Sequence, residues 1–383
     1  MKIAYIFTGG RGTRLKEIDM GRSKPREFFF GLTELRLYGH HVDMFELNDF
    51  FPDTPSRKFQ ILEKVNNYNN SITAVSSCSH LLSPDKIKKL NSYDLIIAGN
   101  EYIAFGLNYH RKQRNFDTPV IFFVMGMLSK VQMIREKNES SIRFLLYQYY
   151  AKKLYRDLLD GSVKAIFLGV GEQKLAFALF PEYSHKFEYL PFAVDTEFWI
   201  PSPTLDEQAA NIFFMGNDQQ RNFKLLLDIA RSTPDINYLF LSTGFDNTQL
   251  PENVILKRSD WKKEVFSDEE IREMIQKSIA VILPLHETYQ PSGQSVCQQS
   301  MSCGKCVLIS QTKGFWSPEI LKNREHLILV EYQEPAEWIH QINNVISNNG
   351  IRKKIGITGR NIMISDFSVE CQGKKLNDII INL

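Results

Sequence analysis

Short apolar runs alternate along the chain with longer stretches in which apolar residues recur every three or four positions. This alternation is typical of repeated β-α units, in which buried parallel strands are covered by amphipathic helices. In the first half the pattern predicts strands at 2–7, 41–47, 93–98, 119–125 and 163–169, and helices at 26–38, 143–160 and 171–180. In the second half it predicts strands at 211–215, 236–242, 253–257, 279–285, 306–310 and 326–331. Helices are predicted there at 221–231, 267–278, 293–303 and 334–347, with two more helical segments after Gly359. The helix predicted at 267–278 opens with a capping box, Ser267 to Glu270.

The pattern breaks once, at the stretch DTEFWIPSP of residues 195–203, whose prolines indicate a linker. A chain of 383 residues also exceeds the length at which one core keeps growing. We therefore predict two doubly wound domains, at 1–195 and 196–365. Ligands of such sheets bind outside the carboxyl ends of the strands, so the active site is expected in a cleft between the domains.

Composition excludes several classes of protein. The chain is 43% hydrophobic and 23% charged, as soluble globular proteins are, and its net charge of +2 is too small to recruit nucleic acid. The apolar start is too short for a signal peptide, and no apolar run approaches the roughly 20 residues that cross a bilayer. Five cysteines, an odd number, suit a reducing compartment. We expect a cytoplasmic protein whose contact with a membrane, if it has one, is peripheral.

Two of the cysteines, Cys303 and Cys306, have the spacing of a CxxC metal or redox site. No second CxxC and no histidine pair accompanies them. The preferred interpretation is that Cys303 ends a buried helix and Cys306 opens a buried strand. No metal is expected.

A glycine loop, GGRGTRL, follows the first predicted strand. Gly9, Gly10 and Gly12 would let a phosphate approach the backbone without a Cβ in the way. Together with Lys24 and Pro25 downstream, the sequence of this loop also resembles that of the sugar-1-phosphate nucleotidyltransferases. A plain tight turn with solvated arginines is the structural alternative.

The segment LPLHETYQPSGQSVCQQSMSCGKCV at 283–307 reads as strand, polar loop, helix and strand. The predicted helix begins at Ser292 to Gln294, where free backbone N–H groups and the helix dipole form an anion site that a diphosphate would fit. The alternative is that Ser292 only caps a helix that packs through Val296 and Met301.

A second candidate phosphate contact opens the downstream half in FFMGNDQQRNFKLL, residues 213–226. Here Gly216 ends a strand, and Arg221 at the start of the next helix is suited to bidentate contact with a phosphate. A solvated arginine on a helix face is the alternative.

In order and spacing these motifs resemble the retaining GT-B glycosyltransferases of the group-one, family-four type. The phrase QSMSCGKCV at 299–307 is similar to that family's donor-binding phrase and places Gln299 where the family has a ribose-binding glutamate. The family's first glutamate would fall on Pro291, and Glu287 is the candidate replacement. Asn217 takes the place of a phosphate-binding arginine. Two milder matches are PFAVDTEFW at 191–199 and YGHHV at 38–42, so that the resemblance covers nearly the whole chain.

The resemblance implies a GT-B fold, with two Rossmann-like domains facing each other across a cleft. The first domain would be the acceptor side, the second the donor side, and the C-terminal helix at 366–383 would pack back on the first. It implies a hexosyltransferase-type enzyme that moves a sugar, with retention and without metal or other cofactor, from a nucleoside diphosphate sugar to a glycan, lipid-linked or small-molecule acceptor. Cell-envelope polysaccharide biosynthesis is the expected context. The implied donor-binding residues are Gly216, Asn217, Arg221, Arg258, Ser292, Gly293, Gln294, Ser295 and Gln299, with Glu287 as the catalytic candidate and the loop glycines Gly9, Gly10 and Gly12 nearby.

Departures from the family keep other functions open: the altered glutamate pair at Pro291 and Gln299, and a missing histidine. The family's histidine in the first domain is missing, since Val124 to Met127 occupy that region, and neither His110 nor His286 is a convincing general base. A nucleotide-sugar binding protein without turnover is therefore an alternative, and a nucleotidyltransferase is a weaker one. The absence of an Asp-x-Asp pair to hold magnesium speaks against the latter.

Aromatic residues cluster in the predicted helix at 143–160. Helical spacing places Leu146, Tyr150 and Leu154 on one face. Packing against the domain core or an interface is preferred for this face over contact with a lipid surface.

Overall fold

A computed structural model of the chain describes residues 1–53, 61–66, 75–137, 142–206, 209–245, 250–259, 265–331 and 334–383. The chain divides into two compact units. The first consists of Met1–Arg22, Phe28–Pro191 and Gly373–Leu383, and the second of Ser23–Glu27 and Phe192–Gln372.

The first unit is built on a parallel sheet of six strands. These are β1 (Lys2–Phe7), β2 (His41–Glu46), β3 (Leu95–Ala98), β4 (Val120–Val124), β5 (Lys164–Phe167) and β6 (Phe187–Tyr189), in the order β2-β1-β3-β4-β5-β6. Its α-helices are Gly12–Asp19, Leu32–Leu37, Pro84–Ile87, Glu101–Lys112, Met127–Lys137, Ile142–Asp160 and Val170–Leu179, and Val369–Ile381 contributes its end. Short 3₁₀ turns lie at Leu47–Phe50, Ser79–Leu81, Lys88–Ser92 and Pro181–Lys186. The five strands predicted for this half are all present, each within two residues of its predicted bounds.

The second unit is built on another parallel sheet of six strands. These are β7 (Asn211–Met215), β8 (Tyr238–Leu241), β9 (Val254–Lys257), β10 (Ser278–Leu283), β11 (Val307–Ser310) and β12 (Ile328–Val330). Their order, β12-β11-β10-β7-β8-β9, is that of a Rossmann fold, with β7 and β10 side by side at the centre. The helices are Pro203–Asp206, Phe223–Ser232, Asp268–Gln276, Gln294–Ser302, Pro335–Ser347 and Asn349–Asp366. The α/β class with two doubly wound sheets, predicted from the alternating pattern, is confirmed.

The strands carry the core of each unit because both faces of a parallel sheet are covered by helices. Ile282 and Leu283 of β10 and Leu308 of β11 are wholly buried, as are Ile96 and Ala98 of β3. The predicted linker is part of this packing and not a solvated stretch, since Phe198 and Trp199 are buried in the core of the second unit. The predicted capping box is confirmed: the Ser267 hydroxyl accepts from Glu270 N, and the Glu270 carboxylate accepts from Ser267 N.

Two predictions for the first half were wrong in detail, and some of its helices were not predicted. The helix predicted at 26–38 is a 3₁₀ turn at Glu27–Phe29 followed by a helix at Leu32–Leu37, because Phe30 has a φ of 51° and interrupts the helical backbone. The helices Glu101–Lys112 and Met127–Lys137 were missed. Tyr150, predicted on the packed face of its helix, is 57% exposed, and the buried face runs instead through Ala151, Tyr155 and Leu158. The Leu146 side chain lies outside the described residues.

Two buried carboxylates hold the start of the helix Met127–Lys137. Glu101 Oε1 accepts from the backbone N–H of Met125 at 2.6 Å and of Met127 at 3.3 Å, and Glu172 Oε1 accepts from Ser129 N at 3.1 Å. Burial raises the pKa of Glu101 to about 7 and, together with the charge of Glu101, that of Glu172 to about 8. At neutral pH the pair therefore holds at least one proton in the folded protein.

From the raised pKa values of Glu101 and Glu172 we expect the first unit to lose stability as the pH rises. The folded-state pKa values lie above the ordinary glutamate value of 4.5, so the stability is fully present below that pH and is lost as pH passes through about 7 to 8. We expect the free energy of unfolding to fall by about 1–3 kcal/mol between about pH 6 and about pH 9, and by less in Glu172→Gln. Urea denaturation at both pH values measures this. Glu136→Gln, at an exposed position of the helix Met127–Lys137, should behave as wild type, and equal behaviour of the two variants would contradict the prediction.

Candidate functional site

The predicted phosphate contacts lie at the centre of the second sheet. Since β7 and β10 are adjacent and parallel, the loops that follow their carboxyl ends start side by side. One loop begins with Gly216 and leads to the helix Phe223–Ser232, and the other leads to the helix Gln294–Ser302. This is the switch point of the strand order, where doubly wound sheets bind ligands.

Backbone hydrogen bonds fix Arg221 at this point. Asn222 N donates to Pro284 O at 2.9 Å and His286 N donates to Gln220 O at 2.8 Å, so the residues on either side of Arg221 are tied to the chain that leaves β10. The Arg221 side chain is only 4% exposed. Its Nε and Nη1 atoms are buried without a hydrogen-bond partner, although Nη1 lies 3.3 Å from Asp218 Oδ2. Burial lowers the pKa of Arg221, but a guanidinium remains charged near neutral pH.

Two predicted glycines border the guanidinium. A Cβ added to Gly216 would lie 2.2 Å from Arg221 Nε, and one added to Gly293 would lie 3.5 Å from Arg221 Nη1. Gly293 has a φ of 76° and is the N-cap of the helix Gln294–Ser302, which has no side-chain cap. Gly216, Arg221 and Gly293, which the sequence predicted from two separate motifs, are thus brought together.

A buried cation beside an uncapped helix start is suited to binding an anion. Backbone N–H groups of a first helical turn point out along the helix axis, where the dipole is positive. The unpartnered guanidinium atoms add donors that a buried site ordinarily satisfies. Together they supply the positive charge and the hydrogen-bond donors that a phosphate or diphosphate requires.

The other residues predicted around this site differ in their surroundings. Ser292 and Gln294 are buried at the start of the helix, and Ser295 is half-buried in its first turn. Asn217 is held by the protein itself, since its Nδ2 donates to Ser259 O at 2.8 Å and its Oδ1 accepts from Thr243 N at 2.7 Å. Arg258 Nη2 lies 3.4 Å from Phe245 O.

Glu287, the predicted catalytic residue, is exposed in the loop after β10. Its Oε1 atom accepts from Thr288 N at 3.0 Å and from Lys313 N at 2.8 Å. These contacts stabilise the loop. A catalytic role for Glu287 stays a prediction.

The structure reveals one partner of Gln299 that sequence reasoning missed. Glu27 is fully buried in the second unit, where its Oε1 accepts from Gln299 Nε2 at 3.0 Å and from Trp199 Nε1 at 2.7 Å. Glu27 Oε2 also accepts from Asp195 N at 3.3 Å. Burial raises the pKa of Glu27 to about 7. No signal in the sequence paired Glu27 with Gln299, because 272 positions separate them.

The glycine loop of the first unit already holds an anion from the protein. Glu46 Oε1 accepts from the backbone N–H of Arg11 and of Gly12, both at 2.8 Å. The Arg11 guanidinium lies 4.4 Å from the centre of the Phe7 ring, and Arg14 lies over Phe28. A phosphate at these two amides would have to displace the Glu46 carboxylate. The role predicted for Gly9, Gly10 and Gly12 stays a prediction.

The two histidines considered as bases differ in burial. His110 is buried, with Nε2 3.1 Å from Ser79 O and Nδ1 2.9 Å from Asn115 Nδ2, and burial lowers its pKa. His286 is exposed. At the place where the family carries its histidine, the Met125 to Ser129 backbone instead faces the carboxylates of Glu101 and Glu172.

Two features of the described residues bear on metal ions and membranes. In these ranges no three His, Cys, Asp or Glu side chains come together in a way that could hold a metal ion. Within the same ranges, each helix is too short or too polar to cross a bilayer.

Residues 195–362 match the family described as Glycosyl transferases group 1. This match contains the Arg221 site and supports the group-one glycosyltransferase assignment that the motifs predicted. No curated protein matches the chain.

Solved structures match the chain over its whole length. Sucrose-phosphate synthase from Thermosynechococcus elongatus has a TM-score of 0.65 and 14% identity and covers 100% of this chain and 98% of its own. HepE from Anabaena in complex with UDP has a TM-score of 0.62 and 13% identity, with 100% of both chains covered. A glycosyltransferase from Rickettsia africae has a TM-score of 0.64 and 14% identity, covering 99% and 97%. At these identities the likeness shows the fold, which is that of the GT-B glycosyltransferases.

Because Gly216 lies against the Arg221 side chain, we expect a single added methyl group at this position to lower the stability of the protein. In Gly216→Ala the new Cβ would overlap Arg221 Nε, so the guanidinium must move and the loop is strained. We expect a loss of about 1–3 kcal/mol in the free energy of unfolding, measured by urea denaturation. Gly350→Ala, where the new Cβ would lie 3.6 Å from Asn348 Oδ1, should cost far less.

A double-mutant cycle identifies the source of that cost. If the overlap with Arg221 is responsible, Gly216→Ala should cost less when it is made in Arg221→Ala protein. Equal costs in the two backgrounds would show that the Arg221 side chain is not what Gly216 accommodates.

Proposed function

We propose that the protein is a glycosyltransferase that moves a sugar from a nucleoside diphosphate sugar to an acceptor, with retention and without a metal. The observation that carries the proposal is the buried Arg221 guanidinium, whose Nε and Nη1 atoms make no hydrogen bond, beside the helix start at Gly293 that has no side-chain cap. Positive charge at this point would stabilise the diphosphate as it leaves, which is the role that a metal ion has in other transferases.

The comparisons agree with this choice of donor. HepE, one of the proteins with a similar fold, is solved in complexes with UDP and with UDP-glucose. A uridine nucleotide is therefore the first donor to test.

We further propose that Gln299 accepts a hydrogen bond from a hydroxyl of the donor ribose. Gln299 Nε2 donates a hydrogen bond to Glu27 Oε1. This contact orients the amide so that Gln299 Oε1, the acceptor atom, points away from Glu27. An amide oxygen held in this way can accept from a hydroxyl as a carboxylate does. Glu27 is thus a positioning residue for Gln299.

Removal of the Arg221 charge should strongly weaken donor binding. We expect Arg221→Ala to weaken binding of UDP by at least about a hundredfold, since a charge-assisted bidentate contact is lost, and to lower transfer activity in parallel. Isothermal titration with UDP and release of UDP from a UDP-sugar measure the two effects. Arg231→Ala, an exposed arginine on the neighbouring helix, is the matched control. Unchanged UDP affinity in Arg221→Ala would overturn the proposed site. If the protein binds a UDP-sugar but releases no UDP with any acceptor tested, a nucleotide-sugar binding protein is favoured.

Exchanging the residues at positions 27 and 299 should restore the hydrogen bond between them. Glu27→Ala is expected to raise KM for the donor by about three- to tenfold with a smaller change in kcat, because the amide loses its orientation. The exchange variant Glu27→Gln with Gln299→Glu restores one donor and one acceptor between the two positions and should recover most of the loss. Steady-state kinetics on the three proteins tests this. If the exchange variant is no better than Glu27→Ala, the contact does not position Gln299.

A further inference from the structure

The second unit contains a cavity of about 330 Å³ that the proposed transfer reaction does not use. It is lined in part by Cys306, which precedes β11, and by Ile279, near the start of β10. These are the amino ends of strands whose carboxyl ends face Arg221. The cavity therefore lies at the opposite edge of the sheet from the proposed donor site. Its volume is in the range of pockets that hold small molecules.

The lining of this cavity is strongly basic. Four of the residues that line the cavity are cationic, and the lining contains no aspartate or glutamate. The cations are Lys305, Arg352, Lys353 and Arg360. Two thiols, Cys303 and Cys306, also line it, and burial raises the pKa of each to about 12. The thiols are therefore neutral near pH 7 and supply no negative charge.

The two guanidinium groups are held in place by neutral acceptors. Arg352 Nη1 donates to Val345 O at 3.0 Å and its Nη2 donates to Asn349 Oδ1 at 2.9 Å. Arg360 Nη1 donates to the carbonyl oxygens of Trp199 and Ser302. Among the described residues, neither group contacts a carboxylate. Both are thus fixed in position while their charge stays uncompensated.

Helix dipoles only partly offset this charge. Arg360 contacts the last carbonyl of the helix Gln294–Ser302, at the negative end of that dipole. Arg352 likewise donates to Val345 O, in the last turn of the helix Pro335–Ser347. The backbone of Arg352 and Lys353, the fourth and fifth residues of the helix Asn349–Asp366, lies near the positive end of that dipole, where a cation is unfavourable. Lys353 is exposed and makes no hydrogen bond or ion pair within the described ranges. An anion in the cavity would relieve the repulsion among these groups.

We propose that this cavity binds a small phosphate-bearing molecule, either a phosphate monoester or inorganic phosphate, at a site separate from the donor site. The fixed guanidinium groups would contact the phosphate oxygens, for which their planar geometry is suited. Lys353, at the open side, would close the contact from solvent.

Calorimetric titration of the whole chain tests the proposal. The probes are inorganic phosphate, ribose 5-phosphate and ribose, and the protein carries Arg221→Ala so that the proposed donor site does not contribute. We expect saturable one-to-one binding of the phosphorylated probes and none of ribose. Tighter binding of ribose 5-phosphate than of phosphate identifies an ester site, and equal binding identifies a site for the free anion.

Three variants assign the binding to this cavity. Lys353→Ala and Arg352→Gln should each weaken binding by at least about tenfold, since each removes a charge that faces the anion. Lys354→Ala, the neighbouring exposed lysine that does not line the cavity, should bind as the parent does. Absence of saturable binding, or equal affinity in Lys353→Ala and Lys354→Ala, would overturn the proposal. Because Lys353 makes no contact that the fold needs, its variant decides the matter even if Arg352→Gln does not fold.

Discussion

The second unit is organised around a guanidinium that the protein buries and leaves incompletely paired. Burying a charge without partners is costly, and the cost is tolerated only where surrounding structure holds the group in place. Here the backbone on both sides of Arg221 is tied to the chain leaving β10, and Gly216 leaves room for the side chain. Two central strands, two loops and one helix start thus converge on one positive charge, which is the condition for binding an anionic leaving group.

A short segment from the start of the chain completes this unit. Arg26 and Glu27 belong to Ser23–Glu27, which clusters with the second sheet although it precedes most of the first. Arg26 makes a bidentate contact with Asp195, at 2.7 and 3.1 Å, and Glu27 reaches Gln299 and Trp199. Gln299, the residue proposed to contact the donor ribose, is therefore not isolated. It is accompanied by a carboxylate from elsewhere in the chain, which is buried and shares a hydrogen bond with it.

The fold was readable from the sequence because parallel strands buried on both faces leave continuous apolar runs, such as residues 279–285 around β10. Elements without that signal were missed. The helix Glu101–Lys112 buries residues on several sides and has a glycine in its middle, so it shows no clean amphipathic period. The break in the helix predicted at 26–38 depends on the backbone conformation of Phe30, which no hydrophobic pattern records.

The sequence by itself determined the α/β class and the two sheets, and it named Gly216, Arg221 and Gly293 as candidates for an anion site. These follow from local pattern and from motifs whose parts lie near one another in the chain. Only the tertiary structure decided which charges are compensated. It placed Glu46 on the glycine-loop amides, Glu27 on Gln299, and two arginines beside a cavity without a carboxylate. Charge pairing depends on distances between residues far apart in the chain, and those distances exist only once the strands have been ordered into a sheet.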